Sequence, residues 1–189
     1  MTRTEIKIAG YGGQGVITLS KMIAAAAILH QEGITATQTE AYGAQARGGA
    51  CWAEVVISDE EMIDYPRAIV PVDVLMVFSE EAARNYKGEV KKDGIAIFDP
   101  LTVRPRKFKV KAKRYAVPAN QIATEELKMP VTQNAIMFGA FIGITGLIDE
   151  ESGRQCVRDF VPSKFIDINL KAYERGLEIG KKLKEEESS

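Results

Sequence analysis

Glu5-Ile6-Lys7-Ile8-Ala9-Gly10-Tyr11-Gly12-Gly13-Gln14-Gly15-Val16 begins with strict alternation and runs into a glycine cluster. Alternation has the period of a strand, and glycines directly after it mark a tight turn. Gln14–His30 follows, rich in alanine and closed by Gly33, and reads as a helix. Strand, glycine turn and helix in that order form the first βα unit of an α/β domain. Outward from it, Thr35–Thr39 and Ala50–Ser58 read as strands. Val72–Phe78 is a nearly continuous apolar run, as expected of a strand covered on both faces. Ser79 is placed to N-cap a short helix through Tyr86. Lys91–Gly94 reads as a turn and Ile95–Phe98 as another buried strand. Lys107–Lys113 (K-F-K-V-K-A-K) alternates and is expected to be a strand with one cationic face. The remainder is helical in pattern. A short helix starts near Pro118, an apolar one covers Val131–Leu147, another starts near Glu150, and the last runs from Phe165 to Lys184 before a frayed tail. Strands alternating with helices predict a single three-layer α/β/α domain over residues 1–189, with a mainly parallel sheet and the glycine loop after its first strand.

Composition narrows the function classes. The chain has 189 residues, long enough to bury ~70% of its unfolded surface without a disulfide or a metal. With 46% hydrophobic and 27% charged residues it is not a disordered chain. Twenty-five basic and 26 acidic residues give a net charge of −1, which disfavours a general nucleic-acid binder. Cys51 and Cys156 are the two cysteines and His30 the sole histidine, so this chain alone cannot ligate structural zinc or an iron–sulfur cluster. His30 lacks the partners of a hydrolytic triad and is expected to end a helix, where its cation favours the pole. The polar N-terminus and the shortness of the apolar runs lead to the expectation of a cytoplasmic protein without signal peptide or membrane span. Buried small hydrophobes is the expectation for both cysteines.

Gly10, Gly12 and Gly15 satisfy G-x-G-x-x-G between a strand and a helix, with Gly13 and Gln14 inside the loop. In that context the glycines allow positive φ and close backbone approach, while the helix start offers free N–H groups to a phosphate. A dinucleotide site also needs an acid near the end of the second strand; Glu40 is the fair candidate, since Glu32 belongs to the helix end. Two readings stay open on these residues: an independent nucleotide-binding oxidoreductase of Rossmann type, or a loop that only turns the chain.

Thr39–Ala50 (T-E-A-Y-G-A-Q-A-R-G-G-A) joins two strands with three glycines and one arginine. Arg47 beside Gly48-Gly49 could present its guanidinium fork to a carboxylate or a phosphate, or pair with Glu40 or a neighbouring subunit. Together, Gly12-Gly13-Gln14-Gly15-Val16 and Tyr42-Gly43-x-x-x-Arg47-Gly48-Gly49-Ala50, followed by Glu54-Val-Val-Ile-Ser-Asp-Glu, resemble the gamma subunit of 2-oxoacid:ferredoxin oxidoreductases. The likeness covers nearly the whole chain, including Val72-Asp73-Val74-Leu75 and the late helices. Pyruvate-type members read Arg-Gly-Ala-Pro where this chain has Arg47-Gly48-Gly49-Ala50, and indolepyruvate-type members carry His-Gly-Met for Tyr42-Gly43-Ala44. The 2-oxoglutarate form is the most similar.

The resemblance implies a fold like domain III of pyruvate:ferredoxin oxidoreductase. It also implies a complex that converts a 2-oxoacid and coenzyme A to acyl-CoA and CO2, with electrons leaving to ferredoxin. Thiamine diphosphate, Mg and iron–sulfur clusters are then expected in alpha, beta and delta partner subunits, because this chain has neither a Gly-Asp-Gly motif nor a cysteine set. The loop residues Gly10, Gly12, Gly13, Gln14, Gly15, Tyr42, Gly43, Arg47, Gly48 and Gly49 are the expected ligand or interface positions; no catalytic or metal residue is assigned.

Two further stretches stand out. Arg104, Arg106, Lys107, Lys109, Lys111, Lys113 and Arg114 form a basic run without an acid, readable as edge-strand protection or as a surface for CoA phosphates or an acidic subunit. Ala135–Leu147 is apolar nearly all round, with Gly139, Gly143 and Gly146 suiting close packing inside the domain or against another chain. Gln133 and Asn134 at its start are candidate polar contacts or caps.

Overall fold

The structure is a computed structural model that describes residues 3–42, 49–60 and 62–188. Six strands of the described chain form one sheet: β1 (Arg3–Tyr11), β2 (Thr35–Tyr42), β3 (Ala50–Ser58), β4 (Val72–Val77), β5 (Val90–Phe98) and β6 (Lys113–Ala116), in the order β2-β3-β1-β4-β5-β6. Pairing is parallel for β1–β4, β4–β5 and β5–β6 and antiparallel for β1–β3 and β2–β3, so the sheet is mainly parallel with an antiparallel flank. Tyr11 faces Ala50 and Gly10 faces Cys51 in the β1–β3 register.

One face of the sheet carries the large core. There Ile6, Ile8, Val55, Ile57, Val74, Met76 and Ile97 pack under helices α1 (Val16–Leu29), α4 (Gln133–Thr145), α5 (Glu150–Phe160) and α6 (Ile166–Ser188). The opposite face is thinner. Ala9, Leu75, Val77 and Phe98 are covered by helix α2 (Glu80–Tyr86) and by the irregular segment 99–112, whose Val103, Phe108 and Ala112 point inward. Phe98 and Phe108 meet edge to face at 5.3 Å. Between β6 and α4 the chain forms a short turn α3 (Ala119–Gln121), a π turn over Ile122–Glu126 and a 3-10 turn over Pro130–Thr132.

Ser79 caps α2 as its position suggested, its hydroxyl accepting from the Ala82 N–H at 3.1 Å. Three expectations are corrected. Lys107–Lys113 is not a strand: the ladder with β5 begins only at Lys113, opposite Ile95. The alternation survives, since Phe108, Val110 and Ala112 turn inward while Lys107, Lys109 and Lys111 are exposed, but the extended chain lies over the sheet instead of joining it. Lys91–Gly94 belongs to β5, not to a turn. The last helix continues past Lys184 to Ser188.

The apolar helix finds its partner inside the domain. Gly139 and Gly143 of α4 lie against Gly176 and Gly180 of α6, backbone to backbone: a Cβ on Gly143 would stand 2.6 Å from the Leu177 carbonyl oxygen, and one on Gly180 2.5 Å from that of Ala140. Gly139 and Gly176 are closer still, facing the Tyr173 and Ile136 carbonyls. Glycines that cost helix propensity are here what lets two helices touch.

Candidate functional site

The carboxyl ends of the parallel strands are where an open α/β sheet takes a ligand, at the point where strand order reverses. Here that point lies between β1 and β4. The glycine loop leaves β1 at this place, with Gly13 at φ +96° and Gly15 at φ +77°, left-handed positions that exclude other residues without strain. Gly15 is the N-cap of α1, and the Asn134 side chain packs directly on it.

Gln14 fills the crevice from within. Its Oε1 accepts from the Tyr11 N–H at 2.7 Å and its Nε2 donates to the Phe78 carbonyl at 2.8 Å, so one side-chain amide bridges the ends of β1 and β4. Gly12 N–H donates to the Gly49 carbonyl at 2.9 Å, and Gln14 N–H to Tyr11 O at 3.1 Å. Three amides of the loop, those of Tyr11, Gly12 and Gln14, are therefore bonded within the chain. Glu40 is equally misplaced for a ribose. Antiparallel β3 separates β2 from β1, setting Glu40 two strands (about 10 Å) away from the loop strand, and its carboxylate lies 3.3 Å from Lys21. The nucleotide-binding alternative is not supported.

The same geometry joins the two motifs. Gly12–Gly49 pairing continues the β1–β3 ladder, so Gly10, Gly12, Gly13, Gln14, Gly15 and Gly49 gather at one edge, with Tyr42 ending β2 opposite Cys51. Gly43, Arg47 and Gly48 lie outside the described residues. Three neighbours carried no sequence signal for this place. The Tyr11 hydroxyl donates to Glu81 at 2.5 Å, fastening α2 to the loop and raising the phenol's pKa. Phe78 contributes its carbonyl to Gln14, while its N–H donates to the Ala9 carbonyl at 2.9 Å and its ring is buried in the core. Asp99 is fully buried at the end of β5, accepts from the Leu101 and Asn120 N–H groups at 2.8 and 2.7 Å, and has its pKa raised by that burial. Asp99 thus ties the two turns that frame a cavity of about 410 Å³ lined by Pro100, Leu101, Pro118, Gln121, Thr124 and Glu125. Leu101 and Val131, 68% and 72% exposed, leave apolar surface at this end of the sheet. Asn134 is a neighbour of the loop and not a cap; α4 starts without a side-chain cap bond.

No group of three or more His, Cys, Asp or Glu that could hold a metal occurs among the described residues. Two free, buried thiols fit neither an iron–sulfur cluster nor the diphosphate-bound metal of thiamine diphosphate. Nor is any helix of the described residues long and apolar enough to cross a membrane. His30 ends α1, its Nε2 3.0 Å from an Asp159 carboxylate oxygen.

The sequence profile described as Pyruvate ferredoxin/flavodoxin oxidoreductase matches residues 5–179. The chain belongs to this family. Among family members, the 2-oxoglutarate synthase subunit KorC of Methanocaldococcus jannaschii is 39% identical over 182 residues, covering 96% of each chain. The solved gamma subunit of a keto/oxoacid ferredoxin oxidoreductase from Geobacter sulfurreducens superposes with a TM-score of 0.79 at 28% identity, over 95% of this chain and 99% of that one. The fold also recurs in 2-oxoglutarate:ferredoxin oxidoreductase from Magnetococcus marinus, solved with 2-oxoglutarate, coenzyme A and succinyl-CoA bound. There the TM-score is 0.83 at 24% identity, over 96% of this chain and 32% of that one. The fold is therefore found both as a separate chain and as one part of a longer one. The sequence resemblance and the α/β fold class stand confirmed.

Within this family domain the cysteines are packing residues. Both are buried, and burial pushes the Cys51 thiol up and that of Cys156 to about 12. An aromatic disulfide reagent at pH 8 is expected to titrate no thiol in the native protein and two in urea, since only the thiolate attacks. Fast native labelling would contradict the packing.

Proposed function

We propose that this chain is the gamma subunit of a multisubunit 2-oxoacid:ferredoxin oxidoreductase that converts 2-oxoglutarate and coenzyme A to succinyl-CoA and CO2 with reduction of ferredoxin. The end-to-end likeness to 2-oxoglutarate synthase subunit KorC carries this reading. Closure of the chain's own crevice by Gln14 supports a scaffold role, with thiamine diphosphate, Mg and iron–sulfur clusters held by alpha, beta and delta subunits in the cytoplasm. On this reading the two sequence motifs, Gly10–Gly15 and Tyr42–Gly49, meet a partner subunit or the coenzyme A of the complex. Glycines bring backbone close to it and Arg47 supplies the fork for a phosphate or carboxylate.

The test is reconstitution. The isolated chain is expected to give no 2-oxoglutarate-dependent reduction of ferredoxin, and the co-expressed subunits to give full activity that is lost when this chain is omitted. Arg47→Ala is expected to raise the KM for coenzyme A or to dissociate the complex. Unchanged KM in an intact assembly would remove Arg47 from the interface. Turnover of NADH by the isolated chain would overturn the scaffold role.

A further inference from the structure

The basic run between Val103 and Arg114 has a different meaning once its shape is known. Edge-strand protection accounts for two of its seven cations: on β6, Lys113 pairs with Glu187 at 2.7 Å, and Arg114 donates to the Pro105 and Phe108 carbonyls at 2.9 and 2.8 Å. The other five project from the segment above the sheet. Arg104 and Lys107 meet Arg84 of α2 and Lys87, the residue that ends it, around a cavity of about 240 Å³ floored by Ala83, Val103 and Phe108. Glu80 is the one carboxylate lining it, 3.4 Å from Arg104 and 3.9 Å from Lys107. Arg106, Lys109 and Lys111 extend the positive field beyond the cavity rim, all exposed. This concentration sits on a chain whose net charge is −1, so it is a local feature.

The charges are held on a fixed frame. The Val103 N–H bonds to Asp99 O at 2.9 Å, Phe108 is 1% exposed against Phe98, and the Arg114 guanidinium ties the turn to β6. The patch is also poor in apolar surface: Leu101 is the one exposed large hydrophobe between residues 80 and 111. Permanent subunit interfaces are apolar at their centre and depleted in lysine, whereas a lysine-rich, wet, cationic face suits a small interface formed and broken rapidly under electrostatic steering.

We propose that this face is a docking surface for an acidic protein that binds transiently to the assembled complex, presenting clustered carboxylates to Arg84, Lys87, Arg104 and Lys107. The transient, as opposed to resident, partner rests on the assembly reading above. Two measurements test it and keep the two ideas apart. In the first, the isolated chain and the purified complex are acetylated with an N-hydroxysuccinimide ester and read by mass spectrometry. Lys87, Lys107, Lys109 and Lys111 are expected to react equally, within about twofold, because the face stays open. Protection in the complex would assign the face to a resident subunit and overturn the proposal. In the second, a fluorescent peptide of eight glutamates serves as probe in anisotropy titrations of the isolated chain at low salt. The Lys107→Glu/Lys109→Glu/Lys111→Glu variant is expected to bind about tenfold more weakly, with affinity falling steeply as salt is raised. The control Lys92→Glu/Lys171→Glu/Lys182→Glu, with the same change in net charge, is expected to bind as the parent does. Equal loss in both variants, no binding to the parent, or tighter binding of pyrophosphate or of duplex DNA than of the peptide would each overturn it. The peptide arm needs no complex, so a failure to assemble refutes the assembly reading and leaves the surface measurable.

Discussion

Replacing Gly139 or Gly176 by alanine is expected to destabilise the fold by about 3 kcal/mol, and valine by more. The added Cβ would stand on the Tyr173 carbonyl in the first case and on the Ile136 carbonyl in the second, so a helix backbone must move. It has nowhere to go. The residues around α4 are buried on every side, from Ala135 through Ile144, and close-packed interiors do not yield a methyl group's volume freely. In urea the loss appears as a lowered midpoint with an unchanged slope, and on heating as a fall of about 6–12 °C for a domain of this length. Gly88→Ala is the control: nothing lies within 4 Å of a Cβ there, and its φ is not positive. A Gly176 variant as stable as the Gly88 control would mean that the two helices do not touch along this seam.

Lys7→Ala is expected to cost about 3–5 kcal/mol, the range for removing one member of a buried ion pair. Lys7 is 5% exposed in the middle of β1. Its ammonium lies 3.3 Å from Glu54 and 2.6 Å from Glu89, over the Tyr86 ring at 4.9 Å. Glu54 is itself 3% exposed, and without Lys7 its charge would retain one cation, Arg67 at 3.2 Å, whose own side chain is more than half exposed, and a long 3.5 Å hydrogen bond from the Thr39 hydroxyl. The penalty is thus desolvation of a stranded carboxylate, not lost packing. That assignment predicts rescue. Lys7→Met combined with Glu54→Gln removes both buried charges and should recover most of the loss, so the double-mutant cycle is strongly non-additive. Additive urea midpoints would show that the two residues act separately.

Much of this fold was legible where a side-chain period and a punctuating residue agreed. Ala50–Ser58, an apolar stretch closed by Asp59, is the third strand to the residue, and Ser79 caps the helix it precedes. The period misled where both faces of a segment meet protein. Glu5 and Lys7 alternate with Ile6 and Ile8 as if facing water, yet both are buried: Lys7 pairs with Glu54 and Glu89, and Glu5 pairs with Arg3 and accepts from the Ile69 N–H, 64 residues further on. Lys107–Lys113 has the period of a strand but not a ladder, since alternation records which side is wet and not which backbone pairs.

The site was legible in part for a similar reason. The glycine spacing located the loop correctly at the carboxyl end of β1, and the two motifs do converge through Gly12 and Gly49. What the loop does depends on Gln14, whose amide satisfies the Tyr11 N–H at the end of β1 and, 64 residues beyond itself, the Phe78 carbonyl at the end of β4. No local pattern encodes that bridge. Nor could spacing reveal that β3 returns between β1 and β2, the step that takes Glu40 away from the loop.

The long helix α6 gives the domain its mechanical character. Its 23 residues extend about 34 Å at 1.5 Å per residue. Along that length Tyr173 bonds to the Glu150 carbonyl of α5, the glycine seam locks α4, and Glu187 reaches Lys113 on the far strand. One strut thus spans from the last helical pair to the opposite margin of the sheet. Through that rod the α5 side of the domain and its β6 margin are fastened to each other, so neither can shift without carrying α6 along.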